Sequence, residues 1–92
     1  MMKKQVHVII SGRVQGVWYR TSTKNQAEML NLTGWVKNLE SGEVEAVFKG
    51  DKKDIDKMLT WCQQGPAQAN VTNVRITELE KIEPFTTFSI RY

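Results

Sequence analysis

Ninety-two residues, 40% of them hydrophobic, with three Trp, three Phe and two Tyr, are enough for one packed core and too few for two, so a single domain over residues 1–92 is expected. The net charge of +3 comes from Lys and Arg scattered between Lys3 and Arg91 among ten acidic residues, a distribution that favours solubility over a nucleic-acid groove. Cys62 is the only cysteine, which excludes an internal disulfide and a cysteine-based metal site.

The apolar run Val8, Ile9 and Ile10 breaks at Ser11-Gly12, too short for a signal-peptide core or a membrane span, so a cytoplasmic protein with no membrane partner is expected. Val6, Val8 and Ile10 alternate with Gln5, His7 and Ile9, the period of a strand with two usable faces. That strand feeds Gly12-Arg13-Val14-Gln15-Gly16-Val17-Trp18-Tyr19-Arg20. Two glycines there let backbone N–H groups converge, and the start of a helix adds the positive end of its dipole, together an anion cradle. Arg20 at the helix mouth supplies a permanently charged planar fork suited to phosphate or carboxylate. A cation at a helix N-terminus opposes the dipole and calls for an anionic partner.

Over residues 21–32, Thr23, Ala27 and Leu30 put a small-to-apolar stripe on one helix, and Gly34 reads as its stop. A second strand at 35–39 turns through Ser41-Gly42 into a third at 44–49, an antiparallel hairpin. After Gly50-Asp51, the set Ile55, Met58, Leu59 and Cys62 falls at helical spacing on a second helix, with Asp51 as its cap and Gly65-Pro66 as its end. Val74 and Ile76 alternate within 71–79, and Phe88, Ile90 and Tyr92 alternate at the end, predicting two more strands.

This order predicts an α+β ferredoxin-like sandwich: βαββαβ with an extra C-terminal strand, two helices on one face of a largely antiparallel sheet. The fold hosts enzymes, metal carriers, regulatory modules and RNA binders alike, so the site must decide. An RNA-recognition module with this strand order carries a Lys/Arg-Gly-aromatic-Gly-aromatic pattern on its third strand. Val44-Glu45-Ala46-Val47-Phe48 lacks it, and no nucleic-acid partner is expected. Near the loop there is no His or Cys nucleophile, no obvious carboxylate pair and no Walker Lys-Ser. Residue chemistry alone fits either electrostatic catalysis or simple anion binding.

The run from Gly12 to Arg20, followed by Thr23, Ala27, Leu30, Leu32, Gly34-Trp35-Val36-Lys37-Asn38, Gly42 and Val44-Glu45, is similar to the signature of the acylphosphatase family. Gly50-Asp51, Gly65-Pro66, Ala69, Val71 and the final Phe88-Ser89-Ile90-Arg91-Tyr92 extend the likeness over nearly the whole chain. The resemblance implies hydrolysis of the carboxyl–phosphate anhydride of small acyl phosphates with no metal or covalent intermediate; no cofactor is expected, and the chain is expected to be a monomer. It implies that the backbone of Gln15, Gly16, Val17, Trp18 and Tyr19 holds the phosphate, that Arg20 clamps it, and that Asn38 positions the attacking water. Thr23 is expected to support the loop through its hydroxyl. The alternative is a non-catalytic ferredoxin-like module that binds an anion or a partner protein.

Other residues have simpler expected roles. His7 reads as a packed or surface histidine, Cys62, Trp35 and Phe48 as core, and Lys49, Lys52 and Lys53 as a solvated face. Two positions depart from the family pattern. Asn31 stands where glycine is common, and Asn tolerates a left-handed helix end; Ser41 replaces an aspartate before the turn glycine, which concerns hairpin geometry.

Overall fold

The computed structural model describes residues 3–80 and 84–92. The elements are β1 (Lys3–Arg13), α1 (Tyr19–Met29), β2 (Thr33–Asn38), β3 (Val44–Asp51), α2 (Lys52–Gln64), β4 (Asn70–Glu78) and β5 (Phe88–Arg91). The strands form one sheet in the order β4-β1-β3-β2-β5. Every neighbouring pair is antiparallel except β2 and β5, which run parallel. The expected ferredoxin-like α+β architecture, with its extra final strand, is the observed one.

Alternation decides the faces. Val6, Val8 and Ile10 of β1, Val36 of β2, and Val44, Ala46 and Phe48 of β3 are all buried in one cluster with Tyr19 and Ala27 of α1 and with Ile55, Met58 and Cys62 of α2. Both helices therefore cover the same side of the sheet. The residues in opposite phase, among them His7, Trp35, Lys37 and Glu45, lie on the other side. Among the described residues, no helix is long and apolar enough to cross a membrane.

Four local expectations need correction. Helix α1 begins at Tyr19, two residues early, because Tyr19 is itself buried in the core. The helix ends at Met29 because Asn31 takes the left-handed conformation (φ 57°) and the chain folds back to donate Leu32 N–H to the Ala27 carbonyl at 2.9 Å. Gly34 is thus no stop signal. It lies inside β2 with φ 135°, where a Cβ would sit 1.9 Å from the Val47 carbonyl oxygen, so glycine is required for the two strands to approach.

Asp51 occupies the N-cap of α2 but makes no side-chain cap bond. It pairs across the sheet with Lys3 and faces that ammonium at 3.9 Å. Trp35 is not core. It is half-buried on the helix-free face, with the Arg91 guanidinium 4.6 Å and the Lys37 ammonium 5.8 Å from its ring centre. The register makes cationic neighbours available: Trp35 and Lys37 are two residues apart on β2, and Lys37 pairs with Arg91 of β5. Phe48, by contrast, is core, stacked on Phe88 at 5.6 Å.

His7 is part-buried and shares a 2.7 Å hydrogen bond with Glu45 across β1 and β3. Lys49, Lys52 and Lys53 lie at the end of the sheet where β3 pairs with the start of β1, opposite the glycine loop. Cys62 is fully buried, and desolvation pushes its thiol up to about 12. The native protein is therefore expected to resist a water-soluble thiol reagent at pH 8 and to react once denatured; prompt labelling of the folded protein would contradict this burial.

Candidate active site

Strand direction brings the site together. Strands β1 and β2 are each antiparallel to β3, and β5 is parallel to β2, so the C-terminal ends of β1, β2 and β5 share one edge. The loop after β1, Asn38 at the end of β2 and Tyr92 just beyond β5 meet there. They line a cavity of about 380 Å³ with Val14, Gln15, Gly16, Trp18, Tyr19, Arg20 and Thr21.

The loop is held from within. The side chains of Val14, Val17 and Tyr19 are buried, which leaves the intervening backbone toward the cavity. Tyr19 reaches furthest: its hydroxyl donates to the Cys62 carbonyl at 2.8 Å and its ring lies 5.5 Å from that of Trp61. This anchors the loop to α2. Burial pushes the Tyr19 phenol well above its ordinary range, so it remains a neutral donor throughout the working pH range.

Between those anchors the backbone alternates in sign. Gly16 (φ 74°) and Trp18 (φ 66°) are left-handed, whereas Val17 between them is not. Alternation of this kind turns successive N–H groups toward one point, the geometry of an anion nest. A left-handed Trp carries a backbone cost of order 1–3 kcal/mol, and such strain concentrates at functional sites. Glycine at 16 is needed for conformation alone, since an added Cβ would meet nothing within 4 Å.

Helix α1 continues the same electrostatic theme. Its first hydrogen bond runs from Ser22 N–H to the Trp18 carbonyl at 3.0 Å. The N-cap residue, Trp18, makes no side-chain cap bond, and the first turn holds no acidic residue. The free N–H groups of this helix start thus have neither a side-chain cap nor an acidic neighbour in the first turn. Arg20, in that first turn, is half-buried and forms no ion pair among the described residues. Its guanidinium lies 5.0 Å from the Tyr92 ring centre. A cation and a helix dipole of the same sign face one cavity, which attracts an anion.

Asn38, across the cavity, is the last residue of β2 and pairs with Val44. Its Oδ1 is buried and accepts no hydrogen bond from the described protein groups. A buried acceptor in that state is uncommon and sets this end of β2 apart.

The residues expected from sequence are largely together: Gln15, Gly16, Trp18, Tyr19, Arg20 and Asn38 all line the cavity. Val17 does not line the cavity; its side chain is buried in the core. Thr23 does not reach the cavity; its hydroxyl donates back to the Tyr19 carbonyl at 2.7 Å, bracing the first helical turn. Thr21 and Tyr92 line the cavity without having been expected there. The signal for Tyr92 was its phase: it follows Phe88 and Ile90, which face the helices, and so extends toward the start of α1. Trp18 is 76% and Tyr92 98% exposed, so the rim is aromatic.

A profile of the acylphosphatase family matches residues 6–90. A protein of Methylococcus capsulatus named acylphosphatase is 48% identical over 87 residues, covering 95% of either chain. Among solved structures, an acylphosphatase from Coxiella burnetii is similar with a TM-score of 0.93 at 44% identity, over 97% of this chain and 93% of that one. The acylphosphatase from Bacillus subtilis superposes with a TM-score of 0.94 at 34% identity, over 99% of this chain and 100% of that one.

Proposed function

The chain belongs to the acylphosphatase family, hydrolases acting on acid anhydrides, and from that premise we propose how its residues, as one catalytic domain over 1–92, cleave the carboxyl–phosphate anhydride of a small acyl phosphate. The phosphate occupies the nest formed by the backbone of Gln15, Gly16, Val17, Trp18 and Tyr19. Arg20 clamps two of its oxygens with its planar fork. Asn38 holds the attacking water through its side-chain amide and sets that water in line with phosphorus.

The chemistry needs little more. A loose phosphoryl-transfer transition state places charge on the equatorial oxygens, which the N–H groups and Arg20 stabilise. The leaving group is a carboxylate, stable without a proton, so no general acid is required. The acyl group then lies toward the rim, beside Trp18 and Tyr92.

The observation that carries this reading is Arg20: a cation with no ion pair among the described residues, at a helix start without a side-chain cap, lining the same cavity as Asn38. The test is hydrolysis of benzoyl phosphate by the purified chain in excess chelator, beside acetyl phosphate and a plain aryl phosphate monoester. The expected result is turnover of both acyl phosphates that survives chelation, a lower KM for the aromatic one, and no action on the monoester. Folded protein that leaves benzoyl phosphate intact would sink the proposal and favour a site that only binds anions.

A further inference from the structure

We infer that the Gln15 side chain is a positioning residue that sets the separation between the phosphate loop and Asn38, acting through the β2–β3 turn without touching substrate. The inference rests on the reading of Asn38 as the residue that orients water. Gln15 Nε2 donates to the Leu39 carbonyl at 2.8 Å and to the Glu43 carbonyl at 2.9 Å. Those two carbonyls form the mouth of the turn, where Leu39 N–H donates to the Glu43 carbonyl at 2.8 Å and Gly42 N–H to the Leu39 carbonyl at 3.1 Å. Leu39 directly follows Asn38. Both partners of the amide are acceptors, so only its nitrogen can face them, and both its protons are used.

A second strap reaches the same turn. The Glu43 carboxylate accepts from Ser11 Oγ at 2.7 Å and from Ser41 Oγ at 2.9 Å, and these two hydrogen bonds hold its carboxyl below the usual range. Ser11 ties the turn to the end of β1, but among the described residues only the Gln15 side chain hydrogen-bonds the turn to the loop that would carry the phosphate. Without Gln15, Asn38 is still located by pairing with Val44 at the last position of its strand and by the Leu39–Glu43 bond beyond it, but nothing in this pair of contacts fixes its distance from the loop. In-line attack is sensitive to that geometry, since a misplacement of about 1 Å costs on the order of 100-fold in rate.

The test compares Gln15→Met, which keeps the apolar stem and removes both donors, and Gln15→Leu, a second uncharged side chain without donors, with Asn38→Ala and the double variant Gln15→Met/Asn38→Ala. Each is assayed with benzoyl phosphate and with inorganic phosphate as a competitive inhibitor. Each single Gln15 variant is expected to lose about 10- to 100-fold in kcat, the range for residues that orient a reacting group, while the inhibition constant for phosphate stays within about threefold. The double variant is expected to be no more than about twofold slower than Asn38→Ala alone, because the two act as a unit. Multiplicative losses, wild-type kcat in both Gln15 variants, or weakening of phosphate in step with kcat would overturn the inference. Asn38→Ala with wild-type turnover is a different outcome, which removes the reading of Asn38 itself. If Gln15→Met does not melt cooperatively, Gln15→Leu, which is likewise uncharged and without donors, decides the question.

Discussion

Arg20→Ala is expected to lose phosphate binding and turnover together, with kcat/KM for benzoyl phosphate falling by about 10³–10⁵-fold, the span over which a transition-state arginine acts in phosphoryl transfer. The fold is expected to be indifferent. Arg20 forms no ion pair among the described residues, and its one ring contact is with Tyr92, which is 98% exposed. Against that small loss stands the removal of a cation from a helix N-terminus, where such a charge costs about 0.3–1 kcal/mol. The melting temperature should therefore hold or rise slightly while activity collapses. Arg20→Lys keeps the charge but not the fork and is expected to recover only a minor part of the binding. An Arg20→Ala protein that is still inhibited by phosphate at wild-type concentrations would place the anion elsewhere.

Asn38→Ala is expected to separate what Arg20→Ala removes at once. The inhibition constant for phosphate stays, because the loop and Arg20 are intact, whereas kcat falls by about 10²–10³-fold, the scale of deleting one preorganised polar group from a transition-state site. Stability gives an independent check. The Asn38 Oδ1 is buried without a donor among the described residues, and a buried unsatisfied acceptor costs about 1–3 kcal/mol. Replacing the amide by a methyl removes that cost and is expected to leave the melting temperature no lower. Steady-state kinetics with phosphate inhibition and a thermal melt on the same preparation read both effects; equal loss of binding in the Arg20 and Asn38 variants would contradict the division of labour.

Several features were legible before any coordinates. The alternation of Val6, Val8 and Ile10 and the stripe of Ile55, Met58 and Cys62 became the core. The left-handed preference of Asn at position 31 appeared as φ 57°. Other features were hidden for definable reasons. Trp35 has the composition of a core residue, and only its phase relative to Val36, together with Arg91 arriving on a parallel neighbour, puts it on the helix-free face. Asp51 stands at a helix start but turns to Lys3, its partner across the sheet. Gln15 bonds carbonyls 24 and 28 residues away, and no local pattern encodes such partners.

By itself, the amino-acid sequence determined the number and order of the elements, the buried faces of β1 and α2, and the glycine-rich loop. These follow from side-chain periodicity and from φ preferences, which act over a few residues. What only the tertiary structure decided is who meets whom. Parallel placement of β5 beside β2 brings Tyr92 over Arg20, the β2–β3 register delivers Asn38 to the same edge, and the Gln15 amide closes the gap between loop and turn. Such contacts depend on strand order and on hydrogen bonds between residues far apart in the chain, which form only when the whole sheet is assembled.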